Sequence, residues 1–199
     1  MSAAKDRAAR PSVAEERAAE QALARQRKEV EEARVRERFG DGTSSAGRPL
    51  VVLNVVVTAL VVVVSILGIV DYSGLAFAAA VVDLVVFGVG VVAFCAALWM
   101  GAQRSREAEM DIAAWFFLAR VAPSQVRRPM LGCLAIQVVV GLGAAIATMG
   151  QATDAGDQAT KLAFGVLVPI FGLALNGLWS ARFGAFPPRA DPTPARSRR

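Results

Sequence analysis

Residues 50–70 have the sequence LVVLNVVVTALVVVVSILGIV, a run without a single charged side chain. As a helix, this run is long enough to cross a hydrocarbon core of about 30 Å, which takes about 20 residues. Three further apolar runs, over 75–100, 130–150 and 162–181, have the same character. The sequence therefore predicts an all-α, integral membrane four-helix bundle with its membrane domain over 49–183.

The basic residues are distributed unequally among the segments that connect these runs. Of the 22 Lys and Arg residues, eleven precede the first run, five lie between the second and the third, and five follow the fourth. The first connection has none, and the third has only Lys161. Because segments rich in Lys and Arg remain in the cytoplasm, this pattern predicts an N-in/C-in, multi-pass protein of the cell inner membrane. The excess of Arg over Lys and the abundance of Ala and Val resemble the composition of proteins from high-GC bacteria.

Residues 1–39 predict a charged cytoplasmic helix in front of the membrane domain. From Val13 to Phe39 there is no Pro or Gly, and opposite charges recur four residues apart, each pair contributing about 0.2–0.5 kcal/mol. Leu23 and Val30 are seven residues apart, but a coiled coil needs three or four sustained apolar heptads. A solvated single helix and a coiled coil or partner-docking helix both remain open.

Three other segments outside the runs have distinct compositions. Residues 40–48, rich in Gly and Ser, predict a flexible linker. Residues 106–121 have apolar side chains on one helical face and predict an amphipathic helix in the inner interface, between helices two and three. Residues 184–199, rich in Pro and Arg, predict a disordered basic tail.

The formal charge of +5 indicates lipid, and not nucleic acid, as the partner of the basic residues. These residues flank the apolar runs, where the anionic headgroups of the cytoplasmic leaflet lie. We expect headgroup contacts from three arginines beside the third run, Arg120, Arg127 and Arg128.

Asp83 is the one ionisable side chain well inside an apolar run. It lies about 12 Å along the helix from Leu75, and a charge there costs at least about 2.5 kcal/mol. With no Lys, Arg or His in any run to neutralise it, we expect Asp83 to be protonated and hydrogen-bonded, or to face a watery crevice. Candidate partners are the Ser65 hydroxyl and the Gly165 carbonyl, which Pro169 deprives of its usual donor. A proton or ion site and a helix-packing hydrogen bond both remain open for Asp83.

Three amides lie at a similar depth in the inner third of the predicted bundle: Asn54, Gln137 and Asn176. Amides in lipid seek each other, at about 0.6–2 kcal/mol per interhelical bond. We interpret the three as a polar clamp that holds the helices together. A cluster lining a substrate path is the alternative.

The sequence lacks the patterns of catalysis and of cofactor or metal binding. It has no His, and its two cysteines, Cys95 and Cys133, lie in apolar runs. We therefore expect no cofactor, no metal and no enzyme activity. The favoured function is that of a non-catalytic interaction or accessory subunit of a membrane complex, with a protein partner bound through 1–39. The alternative is a small homo-oligomeric transporter or channel that uses Asp83.

Overall fold

The computed structural model describes residues 13–40, 47–149 and 161–189, and it is all-α within these ranges. The elements are α1 (Val13–Phe39), α2 (Arg48–Val70), α3 (Ala76–Arg104), α4 (Ile112–Phe116), α5 (Ser124–Thr148), a 3₁₀ segment (Lys161–Leu167) and α6 (Pro169–Phe183). Four helices in the described ranges are long and apolar enough to cross a membrane: α2, α3, α5, and the 3₁₀ segment together with α6. The predicted fold class is confirmed to this extent.

The four long apolar helices bury small, polar and large apolar side chains in their interior and expose large apolar side chains outside. The buried positions of α3 include Ala76, Ala79, Gly90 and Gly101. Large side chains on the outside are strongly exposed, among them Phe77, Val92 and Val139. A large exposed apolar surface promotes aggregation in water but is compatible with contact with lipid chains. The distribution of exposed side chains therefore agrees with helices that are long and apolar enough to cross a membrane.

Glycines allow the spans to approach each other closely at two crossings. A Cβ built on Gly90 of α3 would lie 2.8 Å from the Cα of Phe171 on α6. A Cβ built on Gly141 of α5 would clash with the Gly165 carbonyl of the 3₁₀ segment. Since real Cβ atoms do not approach other atoms so closely, the backbones can meet in this way only at glycine.

The third and fourth predicted spans differ most from the helices in the structure. The third begins at Ser124, six residues before the predicted start, so Pro129 lies inside the helix and not in front of it. The fourth is not one regular helix, because the 3₁₀ segment ends at Leu167 and the α-helical part begins at Pro169. Proline lacks the N–H that a continuous α-helix needs there, which explains the change of geometry.

The helix predicted over 106–121 is much shorter in the structure. Only Ile112–Phe116 is helical, with Asp111 as the N-cap that accepts from the amides of Ala113 and Ala114. Backbone groups on both sides bind elsewhere: the Glu109 amide donates to the Pro187 carbonyl at 3.0 Å. After α4 the chain turns sharply, with positive φ angles at two non-glycine residues, Leu118 (55°) and Arg120 (64°). Over 106–121 the structure therefore has one short helix between turns and not a single amphipathic helix.

The predicted disordered tail over 184–199 begins with an ordered stretch. Ala185 and Phe186 are buried, and Pro188 forms an isolated antiparallel bridge with Ala108. Arg104 fixes this stretch, because its guanidinium donates to the carbonyls of Ala181 and Gly184 at 2.6 and 2.7 Å. Residues 190–199 of the predicted tail, and 41–46 of the predicted linker, lie outside the described residues.

The helix α1 is anchored only near its C-terminal end. The Phe39 ring stacks on Trp179 with 5.8 Å between ring centroids, and Arg38 Nε donates to the Phe183 carbonyl at 2.9 Å. About two turns earlier in α1, Glu31 forms an ion pair with Arg120, with 3.3 Å between Glu31 Oε1 and Arg120 Nη1. Every residue over 13–30 is exposed, although Lys28 lines a groove together with Arg127 at the start of α5.

Candidate functional site

Polar side chains of the spans face the interior of the bundle. Eight polar residues among those described are buried: Asn54, Thr58, Ser65, Asp83, Gln137, Thr148, Asn176 and Ser180. Those on α2 recur at helical spacing, so they form one polar stripe along the inward face of that helix. The candidate site is therefore internal and built from side chains of several spans.

Gln137 of α5 is the centre of a group of hydrogen-bonded side chains within this polar interior. Its Nε2 donates to Thr58 Oγ1 at 2.7 Å and to Asn54 Oδ1 at 3.2 Å, both on α2. The residue is fully buried, and it fits because Gly172 of α6 has no side chain where the Gln137 amide lies. Two of the three predicted clamp amides are thus joined by a direct hydrogen bond.

The third predicted clamp residue, Asn176, does not share in these bonds. It is fully buried on α6, and neither polar atom of its side chain has a hydrogen-bond partner among the described residues. Thr58, which the sequence reasoning passed over, makes the shorter of the two bonds to Gln137. Its position four residues after Asn54, on the same helical face, is the signal that identifies it.

Asp83 lies deeper in the bundle, towards the connection between α2 and α3. Its side chain is fully buried, and neither carboxyl oxygen has a hydrogen-bond partner among the described residues. The Gly165 carbonyl, one of its predicted partners, instead accepts from the Val168 amide at 3.2 Å. The carboxyl does lie against Gly165, because a Cβ built on that glycine would be 3.2 Å from Asp83 Oδ2.

Ser65 lies on α2 at the same level as Asp83. Gly68 of α2 packs on Ala79 of α3, with 3.2 Å from a Cβ built on the glycine to the Ala79 Cβ. Ser65 lies about one turn from Gly68 on the same face of α2, and Asp83 lies about one turn from Ala79 on the same face of α3. Both are further from the connecting loop, so they are at a similar level. The Ser65 hydroxyl is buried and also without a hydrogen-bond partner among the described residues.

The three predicted lipid-binding arginines are not equivalent. Arg120 and Arg127 line a groove of about 850 Å³ between α1 and the start of α5. Lys28 and Arg36 of α1 complete the basic side chains of this groove, and Glu31 and Glu32 are its acidic ones. Arg128 is exposed outside the groove.

In the parts of the chain that the structure describes, no group of three or more His, Cys, Asp or Glu side chains is placed to hold a metal ion. Cys95 is exposed on the apolar surface, Cys133 is buried, and neither is in a disulfide. Comparison with models of protein families, with curated proteins and with solved structures gives no match. The function therefore has to be argued from the geometry of this chain.

Proposed function

We propose that this chain is a polytopic protein of the bacterial inner membrane, with both termini in the cytoplasm, and that it is a non-catalytic accessory subunit. The large exposed apolar side chains of four helices support the membrane location. The concentration of Lys and Arg before the first span, between the second and third, and after the fourth supports the orientation.

The observation that carries the accessory role is the exposure of α1. All residues of this helix over 13–30 are exposed, so this part lacks the buried amphipathic face from which most helices in proteins gain their stability. Its base is nevertheless held firmly, by the Phe39–Trp179 stack and the Arg38 hydrogen bond. A helix presented in this way is suited to binding a cytoplasmic segment of another protein in the same membrane complex.

The proposal is tested by extracting the protein in native lipid particles and measuring the mass and composition of the particles. A variant lacking residues 1–30 keeps Glu31, Val35 and Phe39, so the base of α1 still packs on the bundle. We expect a stoichiometric partner to accompany the full chain and to be lost from this variant.

The matched control is a variant lacking residues 190–199, which removes another terminal segment but keeps every described residue. Partner retention by this control, with loss from the 1–30 deletion, supports the docking role of α1. Equal partner recovery in all three proteins would show that α1 is not the docking element.

A second candidate function is that of a small homo-oligomeric transporter or channel. It is favoured by Asp83, a fully buried carboxyl with no hydrogen-bond partner among the described residues. Because four helices rarely enclose a pathway alone, this candidate requires several copies of the chain. Particles that contain a defined multimer of this chain and nothing else would favour it over the accessory role.

Anionic lipids at the cytoplasmic face are part of the same proposal. The groove that contains Arg120 and Arg127 lies where α5 begins, at the proposed inner end of the third span. Basic side chains at that level attract anionic headgroups.

A further inference from the structure

The fourth span changes from 3₁₀ to α-helical geometry at the level of Asp83. The 3₁₀ segment gives way to α6 at Pro169, and the Gly165 carbonyl accepts from the Val168 amide in a tight turn. A 3₁₀ stretch within a longer helix often marks a functional hinge or a sequence under strain. The position of this change of geometry is therefore a reason to look at what faces it.

Two unpartnered polar side chains lie at this level of the bundle. Asp83 Oδ2 lies against Gly165, where the absence of a side chain leaves room for the carboxyl. Ser65 is at the same level on the facing helix, and its hydroxyl, like both Asp83 oxygens, is buried without a partner among the described residues. Neither Asp83 oxygen bonds to a neighbouring helix in the described part of the chain.

No described basic side chain from the packed elements lies beside Asp83. Apart from Arg48 at its first residue, α2 has no ionisable residue, and the basic residues of α5 are in its first turns. Lys161, at the start of the 3₁₀ segment, has its ammonium 5.6 Å from the centre of the Tyr72 ring. On α3 itself, Arg104 is at the opposite end and bonds to the carbonyls of α6. An ionised Asp83 is thus not neutralised by a fixed charge.

We propose that Asp83 is a reversible proton-binding site, beside the change of helix geometry in the fourth span. A proton neutralises the carboxyl without further ligands. A metal cation needs about six oxygen ligands, and this level of the bundle offers the two Asp83 oxygens and Ser65 Oγ as side-chain ligands. The inference deepens the transporter candidate by naming its ligand and rests on that candidate for its use in the cell.

The test is infrared spectroscopy of the full chain in lipid at a series of pH values, with the spectrum of Asp83→Asn subtracted at each pH. A neutral carboxylic acid has a C=O stretch that its ionised form lacks. We expect a band that is missing in Asp83→Asn and that decreases about tenfold per pH unit above its midpoint, as for one titrating group. In Asp83→Glu the band should return at a shifted frequency, which identifies the carboxyl even if Asp83→Asn folds poorly.

Each other outcome overturns the proposal. A band sensitive to Asp83→Asn but constant over the pH range would mean a permanently neutral packing residue. Absence of such a band at every pH would mean a permanently ionised one. Loss of the band on adding Na⁺ or Li⁺ at fixed pH would assign the site to a metal cation. Since the spectrum reports protonation and not flux, a valid proton site remains distinguishable from a failed transport function.

Discussion

Gln137 on α5 and Thr58 on α2 are joined by a 2.7 Å hydrogen bond inside the bundle, between helices whose outer faces are almost entirely aliphatic. Apolar packing offers little preference for one helix arrangement over another in lipid, because the lipid chains are as apolar as the helices. This bond, with the second one from Gln137 to Asn54, therefore fixes the register of α5 against α2.

We expect Thr58 and Gln137 to be energetically coupled. In a double-mutant cycle, Thr58→Val and Gln137→Leu should have a coupling energy of about 0.6 to about 1.7 kcal/mol, the range for interhelical bonds in lipid. The measurement is the free energy of unfolding of the two single variants and the double variant. Pairing Gln137→Leu with Val139→Leu, a change on the outer surface, supplies the control. Additive effects of Thr58→Val and Gln137→Leu would contradict the bond.

We expect Gly90 and Gly88 to differ sharply, although they are two residues apart on α3. Gly90→Ala places a Cβ 2.8 Å from the backbone of Phe171, so α3 and α6 must separate, at a cost of about 1–3 kcal/mol. A Cβ on Gly88 meets nothing within 4 Å, so Gly88→Ala should be neutral or slightly stabilising. Thermal unfolding of both variants in the same lipid checks this, and equal losses would argue against the α3–α6 crossing.

The sequence was sufficient to predict the four long apolar helices, because apolar length is a local property. It was also sufficient for the depth of Asn54 and Gln137, since depth follows from counting residues along a helix. It did not reveal Thr58 as a partner of Gln137, because rotation about the helix axis depends on packing. Depth alone grouped Asn176 with the other amides, although its side chain makes no bond to them.

Segments that depend on distant backbone contacts were the least predictable. The apolar pattern over 106–121 agrees with a helix, but the backbone around Glu109 bonds to Pro187 instead. Likewise, the composition of the tail gave no sign that Arg104, some 80 residues earlier, binds the Gly184 carbonyl. Such contacts join positions that no local pattern connects.

We expect Arg127→Gln to weaken binding of anionic lipid about fivefold, because a basic residue near the headgroups contributes about 1 kcal/mol. Arg127 lines the groove between α1 and α5. Arg17→Gln is the control, because it removes the same charge from an exposed residue of α1 that does not line the groove. Binding is measured with vesicles that contain increasing fractions of anionic lipid, at fixed salt. If both variants lose the same affinity, the effect is one of net charge and not of the groove.

The proposed orientation predicts opposite accessibility for two exposed positions. In a background with Cys95→Ala and Cys133→Ala, Ser73→Cys in the connection between α2 and α3 should react with an impermeant thiol reagent added outside intact cells. Gln21→Cys on α1 should react only after the membrane is opened. Both side chains are exposed in the structure, so protein packing does not account for a difference. The reverse pattern would place both termini outside.

If the chain transports protons, Asp83→Asn should abolish pH-dependent flux in liposomes, because the amide cannot take up or release a proton in this range. Glu107→Gln removes a carboxylate from an exposed position between α3 and α4 and should leave the flux unchanged. Flux is followed with a pH-sensitive dye trapped inside the vesicles, and particle mass is measured on the same preparation, since transport requires a multimer. Normal flux through Asp83→Asn would remove Asp83 from the pathway. A different result is an Asp83 carboxyl band that titrates in the infrared spectrum together with no flux in the unmodified multimer. Asp83 would then be a proton site of an accessory subunit, and any transport coupled to it would belong to the partner bound by α1.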